Sequence, residues 1–224
     1  IMINIAILPE VFDVKINGVL HVGGYHGEEI ELYKKNNIEN VVFFEPIEKH
    51  FNIITETIKH SNKNYKCLNY ALGNTVGFVS MNVSETVGGD GSGASSSILE
   101  PKLHLTQHPN ISFNKTEEVK ITKLDNIFDD CIKQKDFNML SIDVQGYELE
   151  VIKGASETLS TIDCIISEIN RDEIYENCVQ IDELDSYLND IGFTRAVTIW
   201  TAHDWGDALY VRDMKNSKPI EVRI

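Results

Sequence analysis

Basic side chains are scarce in this sequence. It has 20 Lys and Arg residues against 35 Asp and Glu residues, which gives a formal net charge of −15. A surface that binds nucleic acid needs clustered Lys and Arg to neutralise phosphates, and the sequence has no such cluster. The charge balance therefore argues against a nucleic-acid partner. It favours a neutral or cationic small-molecule substrate over a polyanion.

Cysteine is also rare, and long apolar runs are missing. The four cysteines form neither a CxxC pair nor an evenly spaced framework, which predicts reduced thiols in a cytoplasmic, intracellular protein. No apolar stretch approaches the roughly 20 residues of a membrane span, so we expect no membrane partner. The first residues lack a basic leader, and the Ile that precedes Met2 suggests a piece of a longer polypeptide. The sequence does not indicate an oligomeric state.

The pattern of apolar residues predicts one α/β domain over residues 1–224. Short β-type runs alternate with amphipathic helical windows, and continuous runs such as Val41–Phe44 are typical of parallel strands buried on both faces. This alternation predicts a doubly wound, mostly parallel sheet. The last two runs predict a hairpin with one strand antiparallel to the rest. The predicted strands are 19–22, 41–44, 66–71, 78–83, 119–122, 139–142, 164–168, 194–199 and 208–211.

One Gly/Ser-rich stretch, Ser84–Ser97, follows a predicted strand inside the domain. Its composition predicts an insertion that cannot pack as a core element. One interpretation is a surface loop, and the other is a lid that closes over a ligand with small residues as hinges. The serines at its end favour the lid, with Ser95 and Ser96 as candidate contacts to a substrate.

A glycine turn and a later acid indicate a nucleoside site. The first apolar run opens into a turn that contains Gly23 and Gly27, and Glu45 ends the second run roughly 20 residues later, as in a βαβ unit. A carboxylate in that place can accept both ribose hydroxyls. The spacing differs from G-x-G-x-x-G, which favours a cofactor without a pyrophosphate, such as S-adenosylmethionine. A turn without a ligand remains the structural alternative.

The third strand of the predicted sheet ends near where an adenine would lie. Either Tyr70 or Leu72 could cover a purine, and the small Ala71 leaves room for one. The segment is nonspecific on its own, because a strand followed by a turn needs the same residue types.

Acidic side chains end two further strands. Asp143 leaves a strand at the carboxyl edge, where open α/β sheets bind ligands, and we expect Gln145 and Tyr147 to face the same cleft. A helix cap is the structural alternative for Asp143. Glu168 ends the next strand, and a buried carboxylate there needs a partner. The two acids could share a proton, a substrate hydroxyl or a divalent cation, Mg²⁺ or Mn²⁺.

The turn of the final hairpin contains His203 and Trp205 beside two acids. A Trp ring can cover the apolar C–H face of a sugar while its neighbours bond the hydroxyls, so this turn is predicted to face the substrate. The other histidines of the loops, His26, His104 and His108, are predicted to be solvated.

Together these segments resemble the FkbM-type methyltransferases over about residues 17–212. The similarity lies in H-V-G-G-Y-H-G-E-E, F-F-E-P, N-Y-A-L-G, the S-S-S run, T-K-L-D, S-I-D-V-Q-G-Y-E with V-I-K-G-A, and W-G-D-A-L-Y-V. The resemblance implies a class I (Rossmann-like) S-adenosylmethionine-dependent fold and methyl transfer to a hydroxyl oxygen, often on a sugar or a polyketide-type scaffold.

The resemblance also implies roles for individual residues. Glu45 would take the ribose and Ala71 with its neighbours the adenine edge, while Asp143 and Gln145 would lie near the transferred methyl. The methionine end would be held by Gly23, Gly24, Tyr25 and Gly27. His21 stands where an acid is common, and Glu28 is a candidate substitute for that acid.

The predicted reaction is O-methylation with an acidic or imidazole base. An alcohol must lose its proton as it attacks, so a base is expected within hydrogen-bond reach. The candidates are Asp143, aided by Glu168, and His203 across the cleft. The predicted acceptor is a sugar or glycan, for example a neutral deoxysugar such as rhamnose. Two alternatives stay open: an NAD-dependent dehydrogenase on the same βαβ unit, and a non-catalytic glycan-binding domain.

Overall fold

The computed structural model describes residues 2–87, 93–131, 136–214 and 218–224, with the side chains of 128–131 left out. The predicted lid residues 88–92 and the Cys131 side chain therefore lie outside the described part. Within it the helices are α1 Ile7–Val11, α2 Ile30–Lys35, α3 Glu48–Ile58, α4 His104–Gln107, α5 Leu124–Cys131, α6 Glu148–Lys153 and α7 Ile181–Asp190, with a 3₁₀ turn at Thr158–Thr161.

The strands form two sheets. They are β1 Gly18–Val22, β2 Asn40–Phe44, β3 Asn64–Leu68, β4 Ala71–Leu72, β5 Gly77–Thr86, β6 Ile111–Thr122, β7 Met139–Ile142, β8 Cys164–Asn170, β9 Phe193–Trp200, β10 Trp205–Arg212 and β11 Ile220–Arg223. The main sheet has the order β11-β9-β10-β8-β7-β1-β2-β3, and a smaller sheet has the order β4-β6-β5.

The main sheet confirms the predicted fold class. Its strands pair in parallel except for β10, which runs antiparallel to both β8 and β9 and forms the final hairpin. Alternate side chains of β1 and β2 enter two different cores: Leu20 and Val42 pack on one face, and Val19 and Val41 on the other. Burial on both faces explains why these strands are continuous apolar runs. No helix within the described ranges is long and apolar enough to cross a membrane.

The segment predicted as one strand over 66–71 is in fact two strands in different sheets. β3 ends at Leu68, and β4 starts at Ala71 beside β6. The Asn69 side-chain amide donates to the carbonyl oxygens of Glu45 and Pro46, both at 2.9 Å. These side-chain hydrogen bonds take the place of backbone hydrogen bonds between strands, and the chain turns away from the edge of the main sheet. The periodicity of the sequence does not reveal this turn.

Candidate functional site

A first cavity lies at the carboxyl ends of β1 and β2. It encloses about 620 Å³ of open space, and this volume includes the solvent-filled mouth. Its walls come from the glycine turn after β1, the end of β2, helix α3, the β3–β4 turn and the segment 93–98. The predicted cofactor residues that line it are Gly23, Tyr25, Glu45, Tyr70, Ala71 and Asp143, together with Ser96 and Gln145.

The glycine turn brings the ends of β1 and β7 into contact. Gly23 has a φ of +89°, and its N–H donates to the Phe44 carbonyl at 3.0 Å. A Cβ on Gly23 would lie 1.8 Å from the carbonyl oxygen of Asp143, so no side chain fits there. Gly24 also donates to Phe44, and Gly27, with a φ of +74°, closes the turn by donating to the Gly24 carbonyl at 2.7 Å. Gly27 shapes the turn from outside the cavity lining.

Glu45 is the central polar group of the first cavity. Its carboxylate oxygens accept the backbone N–H groups of Tyr25 and Ile47, each at 2.8 Å. Burial raises the pKa of Glu45 to about 7, and these two hydrogen bonds oppose the rise. A carboxylate has about four acceptor positions, so two backbone donors leave capacity for ligand hydroxyls. These free acceptor positions fit the ribose hydroxyls of an adenosyl cofactor, and the small Ala71 fits beside its base.

Two histidines pack around Glu45 and Tyr25. His50 of α3 is buried, its Nδ1 lies 3.9 Å from a Glu45 oxygen, and burial lowers its pKa to about 4, so the ring is neutral. The expectation that His26 is solvated is wrong, because its ring stacks on Tyr25 at 3.9 Å between centroids and its Nε2 is buried. Sequence reasoning missed His50, because a lone polar residue on a helix carries no signal.

His21 is buried behind the turn and does not substitute for an acid. Its Nδ1 lies 2.7 Å from the Tyr33 hydroxyl and its Nε2 lies 3.2 Å from the Gly23 carbonyl. Burial lowers its pKa. The carboxylate nearest to it is Glu29, at 3.7 Å, whereas the predicted Glu28 is exposed outside the first cavity.

A second cavity adjoins the first and encloses about 590 Å³, its mouth included. Both cavities are lined by Asp143, Gln145 and Ala94. The far wall of the second cavity carries Trp205 and Ile174, and the remaining lining residues are Ser95, His104, His108 and Glu168. None of these described lining residues is Lys or Arg.

The two predicted strand-end acids meet at the border between the cavities. The amide nitrogen of Gln145 lies 2.8 Å from Asp143 Oδ1 and 2.5 Å from Glu168 Oε2. Glu168 is buried, and desolvation followed by the charge of Asp143 raises its pKa well above the usual value. Glu168 therefore gives up its proton less readily than an exposed carboxyl group, and Asp143 is the more accessible of the two acids. Among the described residues, no group of three or more His, Cys, Asp or Glu is placed to hold a metal ion.

The histidines near the second cavity are arranged differently from the expectation. His104 is buried against Tyr175 and Phe113, and burial lowers its pKa to about 4, so the prediction that it is solvated is wrong. His108 lines the cavity beside it, with ring centroids 4.8 Å apart. His203 is exposed, and its ring touches His108 at 4.9 Å outside the cavity lining.

The described part of the Gly/Ser-rich stretch packs over both cavities. Ser84, Ser96 and Ser97 are buried, which corrects the expectation that this stretch cannot pack. Ser96 Oγ donates to the Gly93 carbonyl at 2.7 Å and accepts the Ser84 N–H at 3.0 Å. Hydrogen bonds between the buried Ser84 and Ser96 thus hold this segment in place of apolar packing. Ser95 lines the second cavity beside this contact.

Tyr147 does not face the cleft with Gln145. Its ring packs against the small sheet with Ile47 and Ala71, and it lines a separate depression beside Glu150 and Lys153. The reason is the turn geometry: Gln145 and Gly146 both have positive φ, at 58° and 99°, which reverses the chain between the two side chains.

Two solved structures share this fold. Sp1610 from Streptococcus pneumoniae, assigned as a tRNA (m1A22) methyltransferase, has a TM-score of 0.51 at 14% identity, over 97% of this chain and 73% of its own. A SAM-dependent methyltransferase from Aquifex aeolicus has a TM-score of 0.50 at 14% identity, over 92% of this chain and 88% of its own. With the sheet order, this likeness defines a class I methyltransferase fold.

The family follows from the sequence itself. Residues 21–195 match the family model of the methyltransferase FkbM domain, so the chain belongs to this family and the resemblance inferred from the motifs is confirmed. One curated relative is the 2-O-methyltransferase NoeI of Sinorhizobium fredii (strain NBRC 101917 / NGR234), 34% identical over 82 residues. The matched part spans 37% of this chain and 33% of NoeI.

Proposed function

We propose that this protein transfers a methyl group from S-adenosylmethionine to a hydroxyl oxygen of a neutral sugar or glycan. The observation that carries the proposal is the meeting of the two cavities at Asp143 and Gln145. A donor held by Glu45 and the glycine turn and an acceptor held beside Trp205 would meet next to a carboxylate. Holding two reactants side by side in this way supplies much of the rate of a two-substrate reaction.

The residues at the border have distinct tasks in this proposal. When bound, S-adenosylmethionine supplies a methyl group that its positive sulfur already activates. Asp143 accepts the proton of the acceptor hydroxyl, which becomes a better nucleophile as the proton leaves. Glu168 stays protonated beneath it, and Gln145 donates N–H groups to both acids. Ala94 lines both cavities, so the segment around Ala94 and Ser95 would lie against the bound donor and acceptor.

The walls of the second cavity support a neutral sugar. Trp205 offers a flat apolar face, and Gln145, Ser95 and His108 offer polar atoms for hydroxyls. An anionic sugar would meet Asp143 without a Lys or Arg among the described lining residues. Ile174 gives an apolar spot beside the Trp ring, which suits the methyl group of a deoxysugar such as rhamnose. The relative NoeI is a 2-O-methyltransferase, which supports oxygen as the methyl acceptor.

The test is mass spectrometry of a glycan panel after incubation with S-adenosylmethionine. We expect neutral sugars to gain one methyl group and uronic acids to gain none. Asp143→Asn should lower turnover by about 100-fold or more, the usual contribution of a general base, while binding of the cofactor changes little. Tyr210→Phe is the matched control. It removes a buried hydroxyl of β10 that donates to Asp185, away from both cavities, and it should keep full turnover.

The two alternatives predict different outcomes in parallel calorimetry. In calorimetry, a dehydrogenase would bind NAD in preference to S-adenosylmethionine. A non-catalytic domain would bind glycans in calorimetry but yield no methylated product in mass spectrometry. Full turnover by Asp143→Asn would remove Asp143 as the base.

A further inference from the structure

Gln145 is held on three sides at the border between the cavities. Its backbone has a φ of +58°, in the left-handed region that residues other than Gly rarely adopt. The Ser97 hydroxyl donates to its backbone carbonyl at 2.7 Å. Its amide nitrogen donates both hydrogens, one to Asp143 and one to Glu168. Backbone strain that the surroundings maintain is characteristic of functional positions, so the orientation of this side chain is under tight structural control.

The amide oxygen of Gln145 faces away from the acids and toward Tyr175. The Tyr175 hydroxyl donates toward this oxygen at 2.9 Å and toward the backbone carbonyl oxygen of Ser95 at 2.8 Å, so the two acceptors share its one hydrogen. Burial raises the pKa of Tyr175 well above its usual value, so the hydroxyl keeps its hydrogen. Tyr175 therefore connects Ser95, in the segment that lines the cavities, to the Gln145 amide that donates to Asp143 and Glu168.

Tyr175 is itself a rigid support. Its side chain is fully buried, and it packs with Ile174 and Cys178 against Leu99, Leu103 and Phe113. Because packing fixes the ring, the hydroxyl is fixed in place as well. Tyr175→Phe would keep the ring and remove one oxygen atom. The amide oxygen of Gln145 would then lose its donor, and the side chain would gain hydrogen bonds by turning toward the water in the cavity.

We propose that Tyr175 is a positioning residue: it holds Gln145 so that both amide hydrogens point at Asp143 and Glu168. This inference rests on the proposed function for its catalytic consequence. Without the hydroxyl, Asp143 loses a fixed neighbour and samples orientations that do not face the acceptor. We expect kcat to fall about tenfold in Tyr175→Phe, while KM for the cofactor changes less than about threefold, because Tyr175 lies behind the cavity wall.

The test combines a spectroscopic signature with a double-mutant cycle. In ¹H–¹⁵N spectra of the protein without ligands, the side-chain amide hydrogens of Gln145 should exchange with water at least tenfold more slowly than those of the exposed Gln180. Tyr175→Phe should abolish this protection, and Tyr210→Phe should keep it. Gln145→Met should lower kcat as Tyr175→Phe does, and the double variant should lose no more than the worse single variant, because Tyr175 acts through Gln145.

Several results would overturn the inference. If the Gln145 amide hydrogens of the wild-type protein exchange as fast as those of Gln180, the inference is refuted before any variant is made. Unchanged protection in Tyr175→Phe would also overturn it, as would kcat losses that multiply in the double variant. Absence of methyl transfer by the wild type would refute the proposed function, whereas the exchange measurement would still decide whether Tyr175 positions Gln145.

Discussion

Replacing Gly23 by alanine is expected to destabilise the protein and to displace Asp143 at the same time. The added Cβ would lie 1.8 Å from the Asp143 carbonyl oxygen and 2.8 Å from its carbonyl carbon. Both are backbone atoms of the residue that follows β7, whose N–H donates to the Val22 carbonyl at 2.9 Å, and β7 itself pairs with β1. No rotamer change can relieve the contact, so the ends of β1 and β7 must move apart.

The size of the effect follows from two costs. A left-handed φ of +89° costs a residue with a Cβ about 1–2 kcal/mol. Overpacking against a rigid neighbour adds about 1–3 kcal/mol. The sum is about 2–5 kcal/mol, and a chain of this size loses about 2–4 °C in Tm for each kcal/mol. We therefore expect Tm to fall by roughly 4–20 °C.

Differential scanning calorimetry measures this loss, with Gly24→Ala as the matched control. A Cβ on Gly24 would lie 2.7 Å from the Cδ1 atom of Ile54, the far end of a flexible side chain that can move aside. Gly24→Ala should therefore cost about 1 kcal/mol or less. If Gly23→Ala melts within the error of Gly24→Ala, the close contact between the glycine turn and Asp143 is not as described.

Two further predictions use buried carboxyl groups. Burial raises the pKa of Glu148 to about 7, so the unfolded chain releases this proton near pH 4.5 while the folded protein keeps it, and stability falls as pH rises between these values. In urea unfolding, the free energy of unfolding of the wild type should therefore fall between pH 5 and pH 8, and Glu148→Gln should reduce this fall by about 3 kcal/mol, at about 1.4 kcal/mol per pH unit. An unchanged fall in the variant would refute the assignment. Glu45, with a pKa of about 7, should bind ribose hydroxyls best when ionised, so calorimetry should show S-adenosylhomocysteine binding up to about tenfold more tightly at pH 8 than at pH 6. Glu45→Gln should lose this pH dependence, and a variant that kept it would assign the effect to another group.

The sequence predicted the parts of the fold that depend on periodicity and on glycine. Local apolar patterns predict the parallel core strands, the final antiparallel hairpin and the helical windows. The spacing of apolar residues along the chain differs between a helix, a strand buried on one face and a strand buried on both faces. The small sheet was not foreseen as a separate unit. Its separation depends on Asn69, whose side chain bonds two carbonyl groups of a distant segment, and no local pattern encodes that contact.

The site was predictable where chemistry sits at strand ends and hidden where it depends on packing. Glu45 and Asp143 follow buried strands, and Glu168 lies near the end of β8, so the topology brings them to one edge. His50 and Tyr175 reach the site from a helix and a loop, and a single polar or aromatic residue in such a segment looks like core or surface. Tyr147 was misplaced because two consecutive residues with positive φ reverse the chain, and Gln145 gives no sequence signal for that conformation.

The central claim is that the two cavities hold a methyl donor and an acceptor on either side of Asp143. A crystal structure with S-adenosylhomocysteine and a neutral sugar tests it most directly. The account predicts ribose hydroxyls within hydrogen-bond distance of Glu45, and a sugar hydroxyl within hydrogen-bond distance of Asp143 beside Trp205. A ligand bound elsewhere, or an Asp143 carboxylate turned away from the sugar, would contradict it.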